Sequence, residues 1–211
     1  MKPSELACSF SNSIQAESRL MADLVGAVLT GGASRRMGRD KAVIQIEGAR
    51  MVDRVAAALA AAGCSNVVAV GPRQLAGDLA HIDDLYPGEG PLGGVLTAMG
   101  SVASVDSWLC VVACDLPWLD VDSIDALHRA VASAAAAGQN AAEVDVVVAR
   151  TDRVEPLCAL WNPRCRDAVQ QAFDSGQRSV LEVFKALNVI EVPVRPLALR
   201  NVNTPEDLPT S

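Results

Sequence analysis

The residues best suited to chemistry crowd into one segment, Leu29-Thr30-Gly31-Gly32-Ala33-Ser34-Arg35-Arg36-Met37-Gly38-Arg39-Asp40-Lys41. Glycines let a backbone approach an anion and present its amides to it. Arg35, Arg36 and Lys41 add positive charge of the kind that spreads over phosphates. The spacing matches neither a Walker A loop nor a G-x-G-x-x-G dinucleotide turn. The bland alternative is a glycine turn carrying solvated arginines.

Other segments could complete such a site. Asp115 directly follows the apolar run Trp108 to Cys114. A carboxylate at the end of a buried strand suits Mg²⁺, a hard cation that takes few protein carboxylates plus phosphate oxygens. The same residue could instead close a turn or cap a helix. Asp84 could accept from a ribose hydroxyl or a base amine, or could be a solvated loop carboxylate. In Gly88-Glu89-Gly90-Pro91-Leu92-Gly93-Gly94, the pair Gly93 and Gly94 would let a flat ligand approach the backbone, or would simply make a turn. Asn201 and Asn203 flank Val202, so on an extended chain they point the same way and could bind a polar heterocycle. Without a Walker Ser or Thr or a kinase signature, a glycine-arginine-lysine loop plus a strand-end aspartate leaves nucleotidyl transfer with Mg²⁺.

These residues need elements to hold them. Leu24 to Leu29 is a short apolar run, a buried strand entering Gly31-Gly32. Further strands are predicted over Asn66 to Val70, up to Ile82, over Trp108 to Cys114, Val144 to Ala149, Leu157 to Trp161 and Val189 to Val194. Helical spacing runs over 50–62 and stops at Gly63. It returns over 92–103, from an Asp122 cap to Ala137 with Gly138 as the stop, from Asn162-Pro163 to Gly176, and over Val180 to Leu187. Strands alternating with helices indicate an α/β fold with a mainly parallel sheet. Ligands of such sheets bind beyond the carboxyl ends of the strands, where Gly31-Gly32, Asp84 and Asp115 fall.

Composition bounds the function. With 211 residues the chain can bury one sizeable core, and 50% hydrophobic residues exclude a mostly disordered chain. A net charge of −7 argues against a general nucleic-acid binder while permitting one local basic pocket. No run is apolar enough to span a membrane, and Met1 to Leu20 lacks the apolar core of a secretory signal. Residues 1–22 read as a flexible N-terminal extension. The six cysteines form no C-x-x-C pair and read as free buried thiols. Neither His81 nor His128 has metal-ligand spacing to a cysteine, and His128 reads as a half-exposed helix residue.

The motifs resemble the molybdenum cofactor guanylyltransferases, a MobA-like nucleotidyltransferase family. The similarity runs from about Leu24 to Leu208. It rests on Leu29 to Gly38 with Asp40-Lys41, on Gly90-Pro91-Leu92-Gly93-Gly94, on Cys114-Asp115-Leu116-Pro117 and on Asn201-Val202-Asn203-Thr204-Pro205. The resemblance implies a single Rossmann-like domain over 23–211, three layers α/β/α. It implies Mg²⁺-dependent transfer of GMP from GTP to the terminal phosphate of Mo-molybdopterin, in the cytoplasm, without nucleic acid or membrane. Transient contact with other molybdenum cofactor biosynthesis proteins or acceptor apo-enzymes would follow. By the same resemblance Leu29, Thr30, Gly31, Gly32, Lys41, Asp84 and Asp115 would contact GTP. Lys41, Arg35, Arg36 and Asp115 would carry the reaction, with Asp115 on the metal. Arg178, Ser179, Asn201 and Asn203 would lie on the pterin side. One departure stands out: some relatives carry an asparagine where this chain has Val70, which leaves the nucleobase to backbone groups or Asp84. Gly31-Gly32 favours the guanine branch. The alternatives are a CTP-dependent molybdopterin cytidylyltransferase, another NTP transferase, or a catalytically silent nucleotide-binding protein.

Overall fold

The computed structural model describes residues 23–31, 40–102, 104, 106–136 and 143–208. The expectations for the 1–22 extension, Gly32, Arg35, Arg36 and Gly138 lie outside these residues. The frame is one sheet of seven strands. These are β1 (Leu24–Leu29), β4 (Asn66–Val70), β5 (Ala80–Ile82), β6 (Trp108–Ala113), β7 (Val146–Arg150), β8 (Val154–Trp161) and β9 (Val189–Pro193). They lie in the order β5-β4-β1-β6-β8-β7-β9. Every pairing is parallel except those of β8, which runs against both β6 and β7.

Side chains alternate across each strand, and the two faces bury against different helices. Leu24 and Val28 of β1, with Cys110 and Val112 of β6, pack on α1 (Met51–Ala61) and α4 (Val121–Ala136). Ala27 and Leu29, with Leu109 and Val111, pack on α3 (Pro91–Met99), α5 (Arg166–Asp174) and α6 (Val180–Phe184). The expected three-layer α/β/α arrangement is therefore present. A short α2 (Arg73–Ala76) follows β4.

Several local expectations are corrected. A two-stranded hairpin, β2 (Gln45–Ile46) and β3 (Ala49–Arg50), precedes α1. Its turn places both Glu47 and Gly48 at positive φ, 52° and 82°, as a tight hairpin requires. Two-residue strands carry too little alternation to register in the sequence. Asp120, not Asp122, starts α4, since its Oδ1 accepts the Ser123 N–H at 2.9 Å. His128 is buried on α4, at 8% exposure, not half-exposed. Helix α3 ends at Met99, short of residue 103, and α6 ends at Phe184, short of Leu187. The cysteine reading holds for Cys64, Cys110, Cys114, Cys158 and Cys165, all buried and free.

Candidate active site

Strands β4, β1 and β6 end side by side, and the segments leaving them open a cleft of about 880 Å³. The floor is fixed by backbone. Thr30 donates its N–H and its hydroxyl to the Val70 carbonyl, at 2.9 and 3.0 Å, and the Leu29 carbonyl accepts from Cys114 N–H at 3.1 Å. Leu29, Thr30 and Gly31 therefore line the cleft from a clamped strand end. Gly71 faces them with φ +137°; a Cβ there would lie 2.5 Å from Thr30 Oγ1 and 3.0 Å from the Gly31 nitrogen. Only glycine accepts that backbone and that spacing.

One flank carries charge. Lys41 begins a 3₁₀ turn, Lys41–Val43, and its Nζ sits 3.2 Å from Asp115 Oδ2. Both side chains are 18% exposed, so the pair is partly shielded from solvent yet open to a ligand. Lys41 Nζ also donates to Asn203 Oδ1, and Asn201 Nδ2 reaches Asp115 Oδ1 at 3.5 Å. The two asparagines do point the same way. Their target in this structure is the Lys41–Asp115 pair. Val202 between them is fully buried with Ile46 and Met51, and its N–H donates to the Asp115 carbonyl at 2.9 Å. Asp207 secures the next turn: its Oδ2 accepts the N–H groups of Asn203 and Thr204, each at 2.8 Å. These bonds to Asn203 and Thr204 hold its carboxyl below the usual aspartate value.

Asp207 was not legible as a site residue. Neither was Arg54, which ties the β2–β3 hairpin to the Asp115 segment by donating to the carbonyls of Pro117 and Ile46, at 3.0 and 3.3 Å. An arginine in an amphipathic helix carries no sequence mark of such a role.

The other flank is built around Asp84. Its Oδ1 accepts the Tyr86 N–H at 3.0 Å and lies 3.1 Å from the hydroxyl of Thr97, a buried residue of α3. Its Oδ2 faces Gly31, 3.8 Å from where a Cβ would stand there. Gly93 and Gly94 take a different role from the one their sequence suggested. Both are buried; a Cβ on Gly93 would meet Tyr86 Cβ at 2.7 Å, and one on Gly94 would touch Leu29. They admit neighbouring side chains, not a flat ligand, while Gly88, Gly90 and Pro91 line the cleft.

Arg178 and Ser179 do not line the cleft, although Arg178 lies against Gly90, which does. Arg178 Nε donates to Glu89 Oε2 at 2.6 Å, and its guanidinium lies 4.0 Å from the Phe173 ring centroid. Ser179 caps α6, accepting from Glu182 N–H at 3.4 Å. Cys114 also borders the cleft, but burial pushes its thiol up to about 12, so it is no nucleophile near neutral pH.

Lys41 is the one cation among the described residues lining the cleft, facing Asp83, Asp84 and Asp115. Among the described residues no group of three or more His, Cys, Asp or Glu could cage a metal. One accessible carboxylate beside a lysine still suits a hard cation that completes its shell with substrate oxygens and water.

A mainly parallel sheet whose strand ends hold a clamped Thr30 beside Gly31, a lysine–aspartate pair and a fixed second carboxylate suits a nucleotide-handling α/β domain. Comparison with known proteins agrees. The model of the MobA-like NTP transferase domain matches residues 26–190. A probable molybdenum cofactor guanylyltransferase of Opitutus terrae is 33% identical over 188 residues, covering 87% of this chain and 86% of that one. The molybdenum cofactor guanylyltransferase of Xanthomonas euvesicatoria is 33% identical over 191 residues, covering 86% and 90%. The crystal structure of molybdopterin-guanine dinucleotide biosynthesis protein A from Archaeoglobus fulgidus superposes with a TM-score of 0.69 at 25% identity, covering 86% and 93%. The chain belongs to the MobA-like NTP transferase family, and is a nucleotidyltransferase.

Proposed function

We propose that this enzyme transfers GMP from GTP to the terminal phosphate of Mo-molybdopterin, forming the guanine dinucleotide cofactor and releasing pyrophosphate. The observation that carries the reading is the Lys41–Asp115 pair on the charged flank of the cleft that Gly31 also lines. The names of its relatives point to the same reaction. An acceptor phosphate oxygen forms a bond to the α-phosphorus, and the bond between the α-phosphorus and its bridging oxygen to the β-phosphate breaks. The acceptor is already anionic, so no general base is required. The obstacle is repulsion between two anions. Lys41, turning from Asp115 to the α- and β-phosphates, offsets it and stabilises charge on the departing pyrophosphate. Arg35 and Arg36 share that task.

Asp115 would hold Mg²⁺, which when bound neutralises phosphate charge. Leu29, Thr30, Gly31 and Gly32 bring backbone to the nucleotide, and Asp84 accepts from its nucleoside part. Arg178, Ser179, Asn201 and Asn203 face the pterin. We place residues 23–211 as one catalytic domain, working in the cytoplasm with GTP and Mo-molybdopterin as small-molecule partners, and without nucleic acid or membrane. None of the described helices is long and apolar enough to cross a membrane.

The test is thermal stability with GTP, CTP, ATP and UTP, with and without Mg²⁺, followed by pyrophosphate release. A ligand that binds only the folded state adds roughly 2.7 kcal/mol at a hundredfold excess over Kd. A Mg²⁺-dependent shift with GTP alone is expected. A shift with CTP alone would move the enzyme to a cytidylyl reaction, and no shift with any nucleotide would sink the reading.

A further inference from the structure

One buried hydroxyl has no part in the reaction as written, yet touches the nucleoside flank at several points. Thr97 lies on α3 at 2% exposure. Its Oγ1 accepts the Leu85 N–H at 3.1 Å and stands 3.1 Å from Asp84 Oδ1 and 3.0 Å from the Gly93 carbonyl. A hydroxyl has one proton, so it donates to one of those two oxygens at a time. The Tyr86 N–H occupies Asp84 Oδ1 from the other side. Oδ1 is therefore engaged by protein, and Oδ2 is left facing Gly31 and the cleft. The main chain at Leu85 and the carboxylate at Asp84 are both pinned to the same atom of a rigid helix.

We infer that Thr97 is a positioning residue: acting through Asp84, it sets how the cleft grips the nucleoside part of its nucleotide and how well it discriminates between bases. The inference rests on the reading of the cleft as a nucleoside triphosphate site. A carboxylate that must accept from a base or ribose gains only if it is already oriented, since ordering it at binding would cost affinity. Thr97→Val keeps shape and volume but removes both bonds; Thr97→Ser keeps the hydroxyl.

The experiment is a double-mutant cycle read by titration of GTP and of inosine triphosphate, which lacks the exocyclic amine, on the full chain. The variants are Thr97→Val, Thr97→Ser, Asp84→Asn, and Thr97→Val with Asp84→Asn. Thr97→Val is expected to weaken GTP binding by about tenfold, the scale of a hydrogen bond to a charged group, and to narrow the preference for GTP over inosine triphosphate. In turnover the loss falls on KM more than on kcat. Thr97→Ser restores both. In the Asp84→Asn background the valine adds little further loss, because its route is already cut. Full additivity of the two losses overturns the inference, and so does GTP affinity in Thr97→Val equal to that of the unmutated enzyme. If Thr97→Val melts early, Thr97→Ser and the Asp84→Asn background still decide the matter. A wild-type chain that binds no nucleotide at all overturns the reading of the cleft itself, a distinct result.

Discussion

The two flanks of the cleft are assembled in different ways. On the Asp84 flank, the carboxylate is held by Tyr86 two positions on and by Thr97 thirteen positions on. On the charged flank, Lys41 meets Asp115 across 74 positions and Asn203 across 162, and Asn201 meets Asp115 across 86. The first is a loop folded back on the helix that follows it. The second exists only once strand ends and the segment after β9 have all docked. Short-range contacts form with little loop entropy to lose, whereas long-range ones need the rest of the fold in place. The Asp84 half of the cleft is thus local and the Lys41–Asp115 half is global.

Breaking the global half should cost the most. Asp115→Asn loses the anchor for Lys41 and Asn201 and the carboxylate proposed for Mg²⁺. Steady-state pyrophosphate release should fall by about 10³-fold. Near-normal turnover would remove Asp115 from the reaction. Lys41→Ala should lower kcat by about 10²-fold, the scale for one lost charge-stabilising donor, with GTP affinity changed far less. A retained kcat would shift that role to Arg35 and Arg36. Asp207→Asn weakens the turn that presents Asn203 without touching either charge. It should lower turnover by about fivefold, within the range for one hydrogen bond, and leave GTP binding intact. Loss of GTP binding there would show that the two flanks are not separable.

Arg178→Ala should weaken acceptor binding while GTP affinity holds. The Glu89 contact makes this a sharp comparison, because Glu89 lies beside the cleft-lining Gly88 and Gly90. Equal losses for both substrates would place Arg178 on the nucleoside flank instead.

The smallest effect expected is one of pH. Burial pushes the thiols of Cys114, Cys158 and Cys165 up to about 12 from an ordinary 9.0. A raised folded-state value means the unfolded chain loses these protons first. Their contribution to stability is fully present below about pH 9 and is lost as pH rises toward 12. Melting temperature should be insensitive to these groups between pH 6 and about 8.5 and should decline above about pH 9. A decline that vanishes when the three are replaced by alanine would assign it to them.

The sequence made one half of this contrast easier to read than the other. Gly31 and Asp115 were legible because each follows an apolar strand, and Asp84 because it follows the weaker strand that Ile82 closes; strand ends are where such sheets bind ligands. The parallel frame followed from alternating strands and helices. That β8 alone runs antiparallel did not, since an apolar run states that a strand is buried but not which way it points. Asn201 and Asn203 were legible as a same-side pair but not as partners of Lys41, because a contact across so much chain leaves no local pattern. Gly93 and Gly94 misled for a related reason. A glycine records that something comes close, and here it is Tyr86 and Leu29 of the same chain. Thr97 gave no signal, being one polar residue in an otherwise apolar helix.

Val202 carries a further consequence. It is locked inward while its neighbours reach the Lys41–Asp115 pair, so the segment from Arg200 to Thr204 works by alternation. Its chemistry therefore depends on the number of residues as well as on their side chains. Adding or removing one residue here would turn an asparagine into the core and an aliphatic group onto the lysine. Across this stretch, natural variants should keep their length.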